Sequence, residues 1–222
     1  MQNFYHWNQI EEFLSTSDNH TKGELFEQLT ESYLNWNPKY KTLLNKVWRM
    51  KDVPTSILEK LNIPSQDQGI DLIAETFEGK YWAIQCKYHG DNAKRISHRE
   101  ISTFLALSNA VANHIDFCLI ATTADDYAKL YKGQNNIGFL LSDTWTQLPE
   151  SFFDQFNKKE PAKITPRSPR PHQKEAIQEA KKHFKKESRG KLIFPCGAGK
   201  SLTGYWISKE LKANSVVVAV PS

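Results

Sequence analysis

The 222-residue chain carries 29 Lys+Arg against 25 Asp+Glu, a formal net charge of +4, with 39% hydrophobic residues. That size suits one domain plus a fragment, or two small domains, and the lack of a long apolar run argues against a membrane span or secretory leader. Cys86, Cys118 and Cys196 have no paired spacing and no Cys-x-x-Cys, which argues against a disulfide framework or structural zinc and points to a reduced, cytoplasmic chain.

The charge is uneven. Residues 1–160 hold 16 Lys+Arg and 21 Asp+Glu, whereas residues 161–222 hold 13 and 4. The seven histidines are scattered and form no ligand pattern.

Taken in chain order, the pattern predicts a helix over residues 6–14 and another over residues 22–35. In the second, Leu25, Phe26, Leu29, Tyr33 and Trp36 form an apolar stripe. Thr21 with Glu24 reads as a capping box. Glu24, Glu27 and Glu31 cluster away from the centre of the stripe, a solvated arrangement. A strand is expected near residues 46–50.

A strand, a turn and a second strand follow. Ile70, Leu72 and Ala74 alternate with Asp71, Ile73 and Glu75; Trp82, Ile84 and Cys86 alternate with Ala83, Gln85 and Lys87. Strand side chains alternate faces, so each run has one apolar face. The expected register sets Leu72 opposite Cys86 and Ala74 opposite Ile84. That places Asp71 opposite Lys87 and Ile73 opposite Gln85, across an odd-length connection around Glu78-Gly79-Lys80. A one-residue slip would mix the faces. Asp71, Gln85 and Lys87 then share the face away from Trp82.

A carboxylate, an amide and an ammonium on one face can hold a divalent metal beside a phosphodiester. Hydrolysis of that bond requires a catalyst to remove about 20 kcal/mol of barrier. Magnesium takes oxygen ligands. Asp71 supplies the charged one, Gln85 a side-chain carbonyl and Cys86 a backbone carbonyl. Lys87 would orient water or offset charge on the phosphorane. Ordinary surface charges on a half-exposed hairpin would give the same spacing.

Downstream, the pattern predicts a helix over residues 99–112, a strand over 117–122, a helix around 125–132 and a strand over 137–141. The continuous apolar run Phe117-Cys118-Leu119-Ile120-Ala121 is that of a strand buried on both faces. A helical crossover implies a mixed sheet with helices on both sides.

Gly69-Ile70-Asp71-Leu72-Ile73-Ala74 followed by Ala83-Ile84-Gln85-Cys86-Lys87 resembles the Mrr-like branch of the PD-(D/E)xK nucleases, in which Gln often replaces the second acid. The resemblance extends upstream to Gly23-Glu24-Leu25-Phe26-Glu27 and downstream through residues 101–141. It implies a restriction-endonuclease-like α/β fold, magnesium, double-stranded DNA as partner and a catalytic set of Asp71, Gln85, Lys87 and Glu27. The resemblance alone promotes Glu27, as an acid that helps hold metal or water.

Residues 158–171, with four prolines, read as a linker. Beyond them, Ala176, Ile177, Ala180 and Phe184 give a helix its apolar side, and Lys181, Lys182, Lys185, Lys186 and Arg189 a solvated basic face that could attract a DNA backbone. Then Lys191-Leu192-Ile193-Phe194-Pro195-Cys196-Gly197-Ala198-Gly199-Lys200-Ser201 gives an apolar strand, a glycine turn and a helix over residues 202–211. Such a loop cradles phosphates on backbone N–H groups, with Lys200 on their charge and the Ser201 hydroxyl on magnesium.

Pro195 to Ser201 resembles motif I of superfamily-two helicases. Arg170-Pro171-His172-Gln173 resembles the segment before it, whose Gln reads adenine, and residues 216–222 the strand after it. The implied nucleotide set is Gln173, Gly197, Gly199, Lys200 and Ser201, with ATP used only in a complete motor. The order of these parts resembles the amino-terminal part of type ISP restriction enzymes, which join a nuclease, a translocase, a methyltransferase and a target-recognition region. The expected division is a nuclease domain at 1–157, a linker at 158–169 and an incomplete RecA-like segment at 170–222. No Asp-Glu-x-His or Asp-Glu-x-Asp follows motif I, so the remaining parts would be partners.

The leading expectation is a magnesium-dependent DNA endonuclease. The alternatives are a DNA-binding module with a degenerate site, which would bind without cutting, and a fragment of an ATP-driven translocase, which would hydrolyse ATP. The presence of both Asp71 and Lys87 favours cutting.

Overall fold

The computed structural model describes residues 3–63, 69–90, 95–159, 168–195 and 198–217. The chain divides into two units, Met1–Ala162 and Lys163–Ser222.

The first unit opens with helices α1 (Trp7–Thr16), α2 (Asn19–Trp36) and α3 (Pro38–Lys41). The second helix starts earlier than the pattern predicts. Asp18, not Thr21, is its cap: the Asp18 carboxylate accepts from the Thr21 N–H at 2.9 Å and the Thr21 hydroxyl at 2.7 Å. It stops at Asn37-Pro38, because the residue before a proline is pushed out of the helical region. Strand β1 (Leu44–Arg49) and helix α4 (Thr55–Leu61) follow.

The hairpin forms between β2 (Leu72–Thr76) and β3 (Tyr81–Lys87). Its register differs from the expected one: Leu72 faces Ile84 and Ala74 faces Trp82. The cause is the turn. The Thr76 N–H bonds to the Lys80 carbonyl at 2.8 Å and the Gly79 N–H to the Thr76 carbonyl at 3.0 Å. Residues 77–79 therefore form a three-residue turn closed by Gly79 at φ +77, a conformation that glycine adopts without strain. The turn is odd in length, as expected, but centred one residue early. This slides the register by two, which keeps every side chain on its expected face and removes Asp71 from opposite Lys87.

Helix α5 (His98–Ala106) continues into a π-helical turn at Leu107–Val111. It crosses to β4 (Ile115–Thr122), parallel to β3, and β5 (Ile137–Leu140) lies parallel to β4. The sheet order is β1-β2-β3-β4-β5, with the first three strands antiparallel. The helix expected around residues 125–132 is absent; only Lys129–Tyr131 makes a 3-10 turn. Tertiary bonds override the helical pattern there. The Ile96 N–H takes the Asp126 carbonyl at 2.9 Å, Arg95 holds the Asp126 carboxylate at 2.9 Å, and Tyr127 bridges Ile96. Helices α6 (Ser142–Thr146) and α7 (Glu150–Lys158) end the described part of this unit.

Both faces of the sheet are covered. Leu72, Ala74, Ile84, Leu119 and Ala121 join a core with Trp7, Phe26, Leu29, Trp145 and Phe153 from α1, α2, α6 and α7. Ile73, Ala83, Cys118 and Ile120 join another with Leu61 from α4 and Ile101 and Phe104 from α5. The fold is thus a mixed α/β sheet between two helical layers, with a small edge on either side.

In the second unit, α8 (Pro171–His183) and α9 (Lys200–Glu210) are the helices described. The expected strand at residues 191–195 does not form, and residues 216–217 are not strand either. Ile193 is 78% exposed and Val217 95% exposed. Such apolar strands need neighbours in a parallel sheet, and the described residues of this unit supply none. Among the described residues, no helix is long and apolar enough to cross a membrane.

Trp145 is 0% exposed, stacks on Trp7 and meets Phe26 and Tyr33 edge-on. Its Nε1–H donates to the Thr122 carbonyl at 2.8 Å. Trp145→Ala should lower stability by about 3–5 kcal/mol in denaturant unfolding. Trp145→Phe should cost less, because it keeps ring contacts and forfeits only the hydrogen bond. Equal losses would show that the bond, not the aromatic packing, dominates.

Candidate active site and phosphate loop

Asp71 sits at the entry to β2 and is tied down by its backbone on both sides. Its N–H bonds to the Ile84 carbonyl and its carbonyl accepts from the Met50 N–H, each at 2.9 Å. The side chain then turns along β3, and its Oδ2 accepts the Cys86 N–H at 2.6 Å. The carboxylate thus takes a backbone donor that would otherwise serve the strand ladder. Gly69, at φ +99, allows this entry; a Cβ there would lie 3.6 Å from Gln85 Nε2 and 3.9 Å from the Phe104 backbone.

Gln85 follows the alternation onto the α5 side of the sheet and is 8% exposed. Its Oε1 is buried and has no hydrogen-bond partner among the described residues. Leaving such an oxygen unpaired costs about 1–3 kcal/mol, so its position calls for an explanation. Cys86 points the other way, toward α2. There its thiol is pushed well above the ordinary range, first by burial and then by the Asp71 and Glu27 carboxylates, opposed by its contact with the Thr30 side chain.

Glu27 is therefore not on a solvated face. It is half-buried and lies within electrostatic reach of Cys86. The stripe of α2 is wider than its apolar residues suggest, because buried Thr30 belongs to it, its hydroxyl donating back to the Phe26 carbonyl at 2.8 Å. Asp71 and Glu27 flank Cys86, while Gln85 and Lys87 precede and follow it on the opposite face.

Sequence reasoning missed two neighbours of Lys87. His89 lies two residues past the end of β3, and its N–H and carbonyl both bond the Thr123 hydroxyl at 2.8 Å. Glu100 accepts from the Ser97 N–H at 2.7 Å and the Ser97 hydroxyl at 2.6 Å, both on Oε2. His89 Nε2 lies 3.3 Å from Glu100 Oε1 but off the hydrogen-bond axis. Burial, reinforced by Lys87 and opposed by Glu100, holds His89 below its ordinary value. Burial raises Glu100, but the Ser97 bonds, His89 and Lys87 outweigh it and leave the carboxyl below its usual range. The Ser97-x-x-Glu100 pattern was a readable sign of this helix start.

A cavity of about 790 Å³ in this unit is lined by Phe13, Leu25, Glu31, Trp36, Arg49 and Phe156 among others, and not by Asp71, Gln85 or Lys87. The cavity does not bring Asp71, Gln85 or Lys87 together, so the strand-end cluster is the better candidate. Among the described residues, no three His, Cys, Asp or Glu side chains converge as a metal cluster. The donors at the strand end are instead carboxylate, amide and main-chain oxygens, the set suited to magnesium.

In the second unit, Gln173 is 3% exposed. Its Oε1 accepts the Arg170 N–H at 2.9 Å, and its Nε2 reaches the Thr203 hydroxyl at 3.1 Å and the Ala198 carbonyl at 3.3 Å. It therefore ties the start of α8 to the glycine turn. Gly199, at φ +80, has no room for a side chain, since a Cβ would sit 2.6 Å from Gln173 Nε2. Lys200 folds back, donating to the Phe194 and Pro195 carbonyls at 3.3 and 3.2 Å, and Ser201 is exposed. Arg170, Gln173, Gly199, Leu202 and Trp206 border a hollow of about 440 Å³. Gly197 and most of the linker lie outside the described residues, as do residues 218–222.

The first unit thus carries Asp71, Gln85 and Lys87 on a mixed sheet covered on both faces, and the second carries a glycine turn tied to a helix start by Gln173. Residues 35–136 match the family of restriction endonucleases, and residues 167–222 match the res subunit of type III restriction enzymes. The two matches fall one on each unit of the chain. A solved structure of an ATP-dependent type ISP restriction-modification enzyme, LlaBIII, bound to DNA, is 29% identical with a TM-score of 0.69 over 96% of this chain. The chain spans 13% of that enzyme's length. A protein of unknown function, AF1548, is 14% identical with a TM-score of 0.35, covering 69% of this chain and 78% of its own, and carries no weight. No protein of curated function matches significantly.

The raised Cys86 thiol gives a prediction. It should stay protonated at pH 8 and react with iodoacetamide far more slowly than a free thiol, because only the thiolate attacks. Denaturation should restore ordinary reactivity. Fast alkylation of the folded chain would contradict this placement.

Proposed function

We propose that the first unit is a magnesium-dependent endonuclease acting on double-stranded DNA, within a restriction system of the type ISP kind. The observation that carries this reading is the buried Gln85 Oε1, unpaired among the described residues, on a strand whose Cys86 N–H orients the Asp71 carboxylate. Asp71, Gln85 Oε1 and the Cys86 carbonyl would hold the ion, with Glu27 on the α2 side for a ligand or its water. Bound magnesium supplies Lewis acidity toward the phosphate and a more acidic water.

The remaining work falls to the chain's own groups. The Cys86 N–H fixes the Asp71 carboxylate before any ligand arrives, which lowers the cost of ordering it later. Lys87, at the end of β3, would bring its ammonium to that cluster, to orient the attacking water or offset charge developing on the phosphate. The cover of α2 and α5 keeps both strand faces dry and rigid, so the open strand end is where DNA would lie.

The nuclease domain would occupy residues 1–157, followed by a linker and a helicase segment at 170–222. The helicase, methyltransferase and target-recognition parts of a larger system are its proposed partners. A second reading, a DNA-binding module that does not cut, is less favoured because a degenerate site has no use for an unpaired buried amide oxygen.

Supercoiled plasmid incubated with the chain should be nicked with magnesium and left intact with EDTA. Asp71→Ala should abolish nicking and keep the fold by circular dichroism; wild-type nicking by a folded variant would end this assignment. Lys87→Ala should also lose nicking while still binding metal, since its role is charge and water rather than ligation.

The second unit should show no appreciable ATPase on its own, with or without DNA. Motor turnover needs an acidic magnesium motif and normally a facing arginine. DNA-stimulated ATP turnover that disappears in Lys200→Ala would overturn this expectation.

A further inference from the structure

The cavity of about 790 Å³ in the first unit has no part in the nuclease reading, yet it has the size of a small-molecule site, roughly 300–1,000 Å³. One side of it is aromatic. Phe13, Trp36 and Phe156 line it half-buried, and each is held by a further ring: Phe13 by Phe4 at 5.6 Å, Trp36 by Phe152 at 5.6 Å and Phe156 by Phe152 at 6.3 Å. The other side is polar, and part of it is already committed. Asn157 spends both ends of its amide on the Phe4 backbone, at 2.9 and 2.6 Å, and Lys51 pairs with Glu24 at 3.5 Å. Arg49 is not committed in this way. Its Nε is buried without a hydrogen bond, although Glu31 Oε2 lies 3.2 Å away, and its Nη2 stands 3.6 Å from Asp52 Oδ2, beyond hydrogen-bond range. Gln28, Ser32 and Trp36 also line the cavity and make no side-chain hydrogen bond among the described residues. Enclosed donors without acceptors call for an explanation.

We propose that this cavity binds a small planar aromatic anion, an aryl carboxylate or a mononucleotide, with its ring among Phe13, Trp36 and Phe156 and its acid group on Arg49. The planar fork of a guanidinium matches a carboxylate or phosphate in bidentate fashion. The lining holds four cations, Lys41, Arg49, Lys51 and Lys159, against two carboxylates, Glu24 and Glu31, so it favours an anion over a cation. Glu31 is the competitor for Arg49. Burial raises its carboxyl, against the opposing pull of Arg49, so an entering acid group displaces a weak partner. A surface ion pair needs neither the enclosing rings nor a buried Nε–H left out of line with its acid. The inference stands apart from the nuclease reading, since Asp71, Gln85 and Lys87 do not line the cavity.

The test titrates the full chain with 2-naphthoate by calorimetry, beside its neutral and cationic analogues 2-naphthalenemethanol and 2-naphthylmethylamine. The carboxylate should saturate one site, and the alcohol and the amine should bind about tenfold more weakly, the scale of a lost charge-assisted hydrogen bond. Arg49→Met should weaken naphthoate by a similar factor and leave the alcohol unchanged. Glu31→Gln should tighten naphthoate, because the competing carboxylate is gone. If Arg49→Met unfolds, Glu31→Gln and the charge series still decide. Adenosine monophosphate forms a separate arm: competition with naphthoate supports the mononucleotide, and naphthoate binding without competition supports the aryl carboxylate.

The proposal is overturned if neither anion binds saturably, or if the amine binds as tightly as the carboxylate. It is overturned equally if Arg49→Met and Glu31→Gln both leave naphthoate affinity unchanged, which would reduce the cavity to a groove between packed rings.

Discussion

The hydrogen bond from the Cys86 N–H to the Asp71 carboxylate, at 2.6 Å, is the constraint on which the candidate site depends. A backbone donor in a strand must find a partner, and here a side chain from the neighbouring strand supplies it. That one bond fixes the carboxylate in position, ends the regular β2–β3 ladder, and leaves the adjoining residues of β3 to alternate around it. Gln85 falls to the α5 side, Cys86 to the α2 side, and Lys87 beyond. A register shifted by one residue would break the bond and put Gln85 into the wrong core.

The two helical layers make this arrangement rigid. α2 brings Glu27 and Thr30 to Cys86, and α5 brings Phe104 over Gly69 and Gln85. Neither layer could approach so closely if the strands were not apolar on both faces. Trp145, bonded to the end of β4 through the Thr122 carbonyl, anchors α6 against the same face as α2. The core is therefore continuous with the site's support. In the other unit a comparable role falls to Gln173, which spends its amide on tying the helix start to the glycine turn.

Period-two alternation made the two sheet faces legible in the sequence, including the placement of Gln85 on the face opposite Cys86. Register was not legible, because the three-residue turn could be centred on either of two adjacent positions, which give registers two residues apart with the same faces, and only the Gly79 geometry distinguishes them. Glu27 was misjudged because a helical wheel ranks residues by apolar character, and Thr30 widened the buried stripe without looking hydrophobic. The helix expected around residues 125–132 failed for a different reason: Asp126 and Tyr127 are held extended by Ile96 and Arg95, partners about thirty positions away that no local pattern reveals. The strand before the phosphate loop was a sound reading of Leu192, Ile193 and Phe194, yet a strand exists only with neighbours.

The central claim is that Asp71 and Gln85 together hold a divalent ion. Manganese can stand in for magnesium here, since both take oxygen ligands, and its free ion is counted directly by electron paramagnetic resonance. Titration of the wild type, Gln85→Ala and Gln85→Glu should show binding by the wild type, clear weakening with alanine, and retained or tighter binding with glutamate. Equal binding by all three would contradict the account and return Gln85 to being a buried strand residue with an unexplained oxygen.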